Sequence, residues 1–463
     1  MDVTRLREKG LYVPFEEMKH NTAATVKYLF LDAILALIAG MCSMPEGEKQ
    51  KLAALLDGEP KVSRPVWPLD RKTSLEMAGF INGYCIRYAD WGDAQRPPQS
   101  RGGHPSDMCA AMLALCDKPG VSGKSVIEAL HTAYQLWVLV QNRMMYKRPE
   151  FDPTTFLSLT LPVMIAVCLG DSPEQTQNVL NLSASSGTTL LQVRPADITN
   201  LKCGATGYAI ARVFWLYRMS GFLQAPGSMF DGANGWYKVV ANFDGELEAM
   251  DDDKTYEQIQ VKALPCCNVN QAASECGIRL HQRIDGDSTR IRRITVRVSP
   301  TDAGIALKPG KPQYPYDHPT ADHHISYCLA AALKYGTLAP IHFEKDYFSD
   351  SELRRLIDLT AGVVLTKEEL SSLGGGKGPC TVEVELSDGK ILTESVPRPA
   401  GYFVGMAGDE RNAGLHKVVE NKRAILEQCY HYDLSEVDKV VLHFEQYEAA
   451  ALIDVVQTAL KRG

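Results

Sequence analysis

The chain has 463 residues, 49 Lys and Arg against 56 Asp and Glu, and a formal net charge of −7. Hydrophobic residues make up 45% and charged residues 23%, which excludes a disordered chain, a coiled-coil rod and a collagen-like fibre, and suits a soluble globular protein of two or three domains. The mild acidity argues against a nucleic-acid partner, yet it admits an anionic substrate, since a few local cations suffice to hold one.

The N-terminal residues show no apolar signal-peptide core. The apolar run over 29–42 is interrupted by Asp32 and is shorter than a membrane span. It predicts a helix buried on most of its sides, no membrane partner and a cytoplasmic protein. The 12 cysteines are scattered without any Cys-x-x-Cys, which predicts free thiols, most of them core fillers, and neither a zinc site nor an iron–sulfur cluster.

Helical signals fill the first half. Asn21 precedes an apolar spacing through Val26, Leu29, Phe30, Ala33 and Leu37, and is the expected N-cap. Ser106 after Pro105 is the expected N-cap of a helix over 108–115, and Ser122 opens another. Asp152-Pro153 opens a fourth helix that Gly170 ends, Pro173 begins a fifth, and 204–220 is a sixth. After residue 285 the period changes. Ile294, Val296 and Val298 alternate as a half-buried strand, helices follow at 321–335 and 351–359, and Asp388-Gly389 between two alternating runs marks a hairpin. The glycine-rich 374–378 segment lacks phosphate-loop spacing and is a linker, and 412–461 returns to helical period. The fold is expected to be mainly α: a large all-helical domain (1–267 and 397–463), with a smaller α+β domain (268–396) inserted before the C-terminal helices.

The densest polar stretch combines Asp90, Asp93, Arg101 and His104 just ahead of the helix that begins near Ser106. A helix N-terminus attracts anions, so a carboxylated substrate could dock there beside His104. The same residues also suit a loop of capping aspartates with a solvated histidine. An Asp-x-x-Asp with a distant His is too weak a pattern for a metal. Lys202 precedes a small-residue helix, where it could reach an anion or move a proton. Lys262 lies four residues before Cys266-Cys267, and packing is favoured for both thiols because no activating base is adjacent in sequence. Of His323 and His324, one is expected to be exposed and the other packed or lining a pocket.

Taken together, these segments resemble the MmgE/PrpD family, which contains 2-methylcitrate dehydratase and cis-aconitate decarboxylase. The resemblance rests on Asp90-Trp91-Gly92-Asp93-Ala94 followed by His104-Pro105-Ser106, on Lys202, on Lys262-Ala263-Leu264-Pro265-Cys266, and on the Ala321–Tyr327 segment. It implies a homodimer that acts on small polycarboxylates without a cofactor. It implies catalytic roles for Asp90, His104, Lys202 and Lys262, and substrate contacts for Asp93, Arg101, Asp152, Cys267 and His323. The chain departs from the family pattern at Gly92, Ala94, Asp152 and Cys267. The expected activity is a 2-methylcitrate dehydratase-like hydro-lyase reaction, with a decarboxylase, an epimerase or a non-catalytic binder of such acids as alternatives. His104, Lys202 and Lys262 are expected to meet in one pocket.

Overall fold

The computed structural model describes residues 1–58, 60–65, 71–96, 102–144, 151–194, 199–242, 247–374 and 378–462. The first half is a stack of helices: α1 (His20–Ser43), α2 (Glu46–Ala54), α3 (Leu75–Tyr88), α4 (Asp107–Cys116), α5 (Gly123–Met144), α6 (Leu157–Leu169), α7 (Pro173–Ser186) and α8 (Leu201–Met219). Two short helices follow, α9 (Trp236–Val239) and α10 (Asp252–Tyr256), and then α11 (Gln271–Arg283). The remaining helices are α12 (Pro300–Ala306), α13 (His318–Ala321), α14 (Ile325–Tyr335), α15 (Ser351–Asp358), α16 (Lys367–Ser372), α17 (Gly408–Tyr430), α18 (Ser435–Leu442) and α19 (Ala450–Arg462). The protein is mainly α, with a smaller α+β part ahead of the C-terminal helices.

Several boundaries follow the local signals. Ser172 caps α7 through the Gln175 N–H with Pro173 in its first turn, and Gly170 ends α6 in the left-handed conformation. Others differ. Lys19 occupies the N-cap position of α1 and Asn21 lies inside the first turn, where its carbonyl accepts from Asn412 Nδ2 at 2.9 Å. Ser106 is at the N-cap of α4, but its side chain makes no capping bond. Helix α1 is longer than its apolar core suggests. By length and composition it could cross a membrane, but 89% of its apolar window is buried inside the fold. A helix apolar on every face needs neighbours all round, and α3, α17, α18, α4 and α5 supply them.

Helices α3 and α8 pack unusually closely. A Cβ on Gly83 would lie 2.8 Å from Gly207 Cα, so only glycine allows the two backbones this approach. The small residues after Lys202 therefore serve contact with α3, which sets the first turn of α8 beside the C-terminal end of α3.

The main sheet has the order β4-β3-β5-β6, with β3 (Ile291–Val298), β4 (Thr360–Val364), β5 (Cys380–Leu386) and β6 (Ile391–Val396). Strands β5 and β6 form the antiparallel hairpin around Asp388-Gly389, while β4 joins β3 in parallel. Alternate residues of β5 are buried, with α11 packed against both hairpin strands. A second sheet consists of two residues on each side: β1 (Ala94–Gln95) pairs antiparallel with β2 (Ile259–Gln260). No periodicity can announce so short a ladder, yet it carries the chain after β2 to the loop at Asp90. Of the 374–378 segment, 375–377 lie outside the described residues.

The C-terminal helix α17 packs on α1 through a fully buried ion pair, Lys422 with Asp32. Lys422 Nζ also donates to the Trp91 carbonyl at 2.6 Å and stands 5.2 Å from the Trp91 ring centre. Removing one partner leaves the other as an uncompensated buried charge, which typically costs about 3–5 kcal/mol, whereas an apolar pair restores much of the loss. Lys422→Met should therefore lower stability by about that amount in urea denaturation, and Asp32→Leu/Lys422→Met should recover most of it.

Candidate active site

A cavity of about 610 Å³ opens between the end of α3, the loop before α4, the start of α8 and the segments at 262–269 and 304–311. Its described walls carry seven Lys or Arg residues and one carboxylate, Asp90. His104, Lys202, Lys262, Cys267 and His323 also line it, so the three groups expected in one pocket share a wall.

Asp90 is the hub. It follows the C-cap of α3 with φ of 46°, a left-handed conformation that aspartate tolerates better than most residues. Lys262 Nζ lies 2.9 Å from Asp90 Oδ2 and donates to the Asp90 carbonyl at 2.6 Å, fixing both backbone and side chain. Lys202 Nζ is 3.8 Å and Arg87 Nη2 3.4 Å from Oδ1. Burial works against the charge of Asp90, but Lys202, Lys262 and Arg87 outweigh it and hold the carboxyl well below its usual range. Lys202 sits inside the first turn of α8 rather than ahead of the helix.

His104 donates from Nδ1 to the Asp93 carbonyl at 2.8 Å, which leaves Nε2 as its proton acceptor. Burial, with Arg87 and Lys262 nearby, pushes its pKa well below the ordinary value, so it is neutral near pH 7. The Asp93 side chain does not line the cavity. It accepts from Tyr134 Oη and from the Ser106 N–H, both at 2.6 Å, and burial lifts its carboxyl to about 7. Its part is to hold the loop that orients His104. Gly92 is tied to the same loop, since a Cβ there would meet Ser106 Oγ at 2.6 Å. An aspartate at this position of the signature would displace Ser106.

Asp152 also points away from the cavity. It caps the turn at Thr154 and pairs with Arg194, and the guanidinium of Arg194 is what lines the cavity. Neither the Asp93 nor the Asp152 side chain is among the described residues that line the cavity. Arg101 lies outside the described residues.

The expected helix over 321–335 is broken. Between α13 and α14, His324 caps α14 by accepting from the Tyr327 N–H at 3.2 Å, while Asp322 closes α13 as its C-cap and His323 lies in the turn between them. Neither histidine is exposed: His323 is half-buried in the cavity wall and His324 is buried. Asp322 Oδ1 bonds His323 Nδ1, and Asp322 Oδ2 accepts from Lys202 at 3.3 Å. Burial works against protonating His323, but Asp322 outweighs it and lifts the imidazole to about 9. Burial likewise works against ionising Cys267, but the His323 charge and hydrogen bond bring its thiol down to about 7. Cys266 is buried, whereas Cys267 is half-buried, packing against the core and also lining the cavity.

Asp90, Cys267 and His323 place one donor atom each within 4.8 Å of one another, the one such cluster among the described residues. It suits a cation poorly. Two ammonium groups and a guanidinium already face Asp90, and His323 carries a proton. The arrangement favours anions instead. The Nε and Nη2 donors of the buried Arg87 make no hydrogen bond among the described residues, although they stand 3.7 Å from Asp107 and 3.4 Å from Asp90. Sequence reasoning missed Arg87, Arg194, Asp322 and Lys311. Asp322 stands inside the quoted Ala321–Tyr327 segment, but nothing local marks which side it faces.

Two family models match the chain: the MmgE/PrpD N-terminal domain over residues 8–246 and the MmgE/PrpD C-terminal domain over residues 264–446. The chain belongs to the MmgE/PrpD family, whose members are generally lyases and dehydratases.

Proposed function

We propose that the protein is a cofactor-independent lyase acting on a small polycarboxylate, most simply a 2-methylcitrate dehydratase-like hydro-lyase. The observation that carries this reading is the cationic lining of the cavity: seven Lys or Arg side chains and one carboxylate among its described residues, with Asp302, Asp152 and Asp322 pairing Arg96, Arg194 and Lys202. A wall rich in cations attracts anions, and a substrate with two or three carboxylates matches it.

The two histidines differ in the way an acid and a base must differ. His104 is held neutral and His323 is held protonated in one cavity. In a dehydration, His104 Nε2 takes the proton from the carbon next to a carboxylate. The C–H electron pair becomes the new double bond as the C–O bond breaks, and the leaving hydroxyl takes the His323 proton and departs as water. Lys202, Lys262 and Arg87 stabilise the charge that builds on the carboxylate. Arrival of an anion also offsets the cations that depress His104, which raises its proton affinity when substrate is present. Decarboxylation and epimerisation pass through the same carbanion-like state and are the second reading, favoured by the availability of both an acid and a base.

The test is a panel of citrate-like, aconitate-like and aminated dicarboxylic acids followed by NMR in D₂O. Conversion, or deuterium at a carbon beside a carboxylate, supports the proposal; binding without either favours a non-catalytic role. His104→Gln should depress turnover more than binding, while Lys202→Met and Lys262→Met should weaken binding. Activity should survive dialysis against a chelator. Above pH of about 9 the rate should fall as His323 loses its proton, an alkaline limb read from kcat/KM against pH.

A further inference from the structure

Cys267 and Cys429 are the two cysteines that are not fully buried, and Cys267 opens onto the cavity. Its Sγ and a ring nitrogen of His323 lie within 4.8 Å of each other. Behind His323 stands Asp322, bonded to the imidazole at Nδ1. The unit is tied together by its backbone: the Cys267 N–H donates to the Asp322 carbonyl at 2.9 Å, and Asn270 Nδ2 donates to the same oxygen at 3.0 Å. A thiol, an imidazole and an orienting carboxylate in this order form the usual arrangement for activating sulfur.

We propose that Cys267, His323 and Asp322 form a nucleophilic thiol site that reacts with small carboxylates bearing an electrophilic carbon. The cavity cations hold the carboxylate, and the sulfur attacks the adjacent carbon. A sulfur lone pair forms the S–C bond while the bond to the leaving group breaks and takes its electron pair away. The thiol proton is lost to solvent as the pH passes about 7, and the already protonated His323 pairs with the thiolate, so the step needs no oxidant or reductant. This site does not depend on which lyase or isomerase reaction the cavity performs.

The thiol faces His323, Asp90 and Lys262, with Lys311 and Tyr402 also within electrostatic reach, and Asp322 and Lys202 behind His323. Burial and Asp90 oppose the thiolate; His323 and Lys262 favour it. Reactivity should therefore rise with pH through about 7, where the thiolate forms. Burial pushes the Cys429 thiol above its usual 9, which makes it an internal comparator in the same molecule.

The experiment alkylates the full chain with iodoacetate or iodoacetamide across a range of pH and maps the modified cysteines by peptide mass spectrometry. Cys267 should react first, with a midpoint near 7, and its ratio of iodoacetate to iodoacetamide rate should exceed that of Cys429. His323→Asn should raise the midpoint by at least about one pH unit, a roughly fivefold loss of thiolate at pH 7. Three results overturn the proposal: Cys267 reacting no faster than Cys429, an unchanged midpoint in a folded His323→Asn protein, or a Cys267 that reacts only after a chelator is added. The Cys267–Cys429 comparison is made in the unmodified protein, so the test stands even where the variant fails to fold.

Discussion

One carboxylate organises the cavity. Asp90 sits buried among Lys202, Lys262 and Arg87, and each of these cations would be costly to bury without a counter-charge. Lys202 is also paired with Asp322 and Arg87 stands 3.7 Å from Asp107, so the charge is shared over several buried groups. Burial, with Arg87 and Lys262 close by, keeps His104 neutral in the same space. The hub in turn depends on a backbone conformation that is uncommon outside glycine, held by the Lys262 ammonium on the Asp90 carbonyl.

Support for this arrangement comes from distant parts of the chain. The close approach of α3 and α8 sets Lys202 beside Asp90, and the two-residue β1–β2 ladder brings Lys262 from 172 positions away. From the C-terminal side, Lys422 on α17 reaches across α1 to the Trp91 carbonyl, next to Asp90. The buried pair with Asp32 therefore serves two ends: it docks the tail helix and props the loop that holds the hub. Polar groups this deeply buried are tolerated only when each has a partner, so loosening one propagates to the others.

The cavity separates its titrating groups by environment rather than by residue type. His104 and His323 share one space, but cations depress the first while Asp322 raises the second. Cys267 falls under the influence of His323 and is drawn toward the thiolate. The result is a neutral imidazole, a protonated imidazole and a thiol of lowered pKa from side chains that would otherwise titrate much closer together.

The sequence by itself determined the helical body, the strand-and-hairpin segment and the family resemblance, because these rest on local periodicity and on motifs contiguous in the chain. The hairpin at Asp388-Gly389 and the stop at Gly170 follow from backbone preferences that act within a few residues. It also singled out His104, Lys202 and Lys262, which all line the cavity. Direction was what it lacked. Asp93 and Asp152 are as polar in sequence as Asp90, yet their carboxylates turn to Tyr134 and Arg194, and only packing decides that. The helical period carries straight through 321–335, whereas His324 breaks it by capping α14 and so frees Asp322 and His323 for the cavity. Cys267 has no base beside it in sequence because His323 is 56 positions away. Contacts of that range arise only when the chain is folded, since a long-range pair is fixed by the packing of whole elements and leaves no local trace.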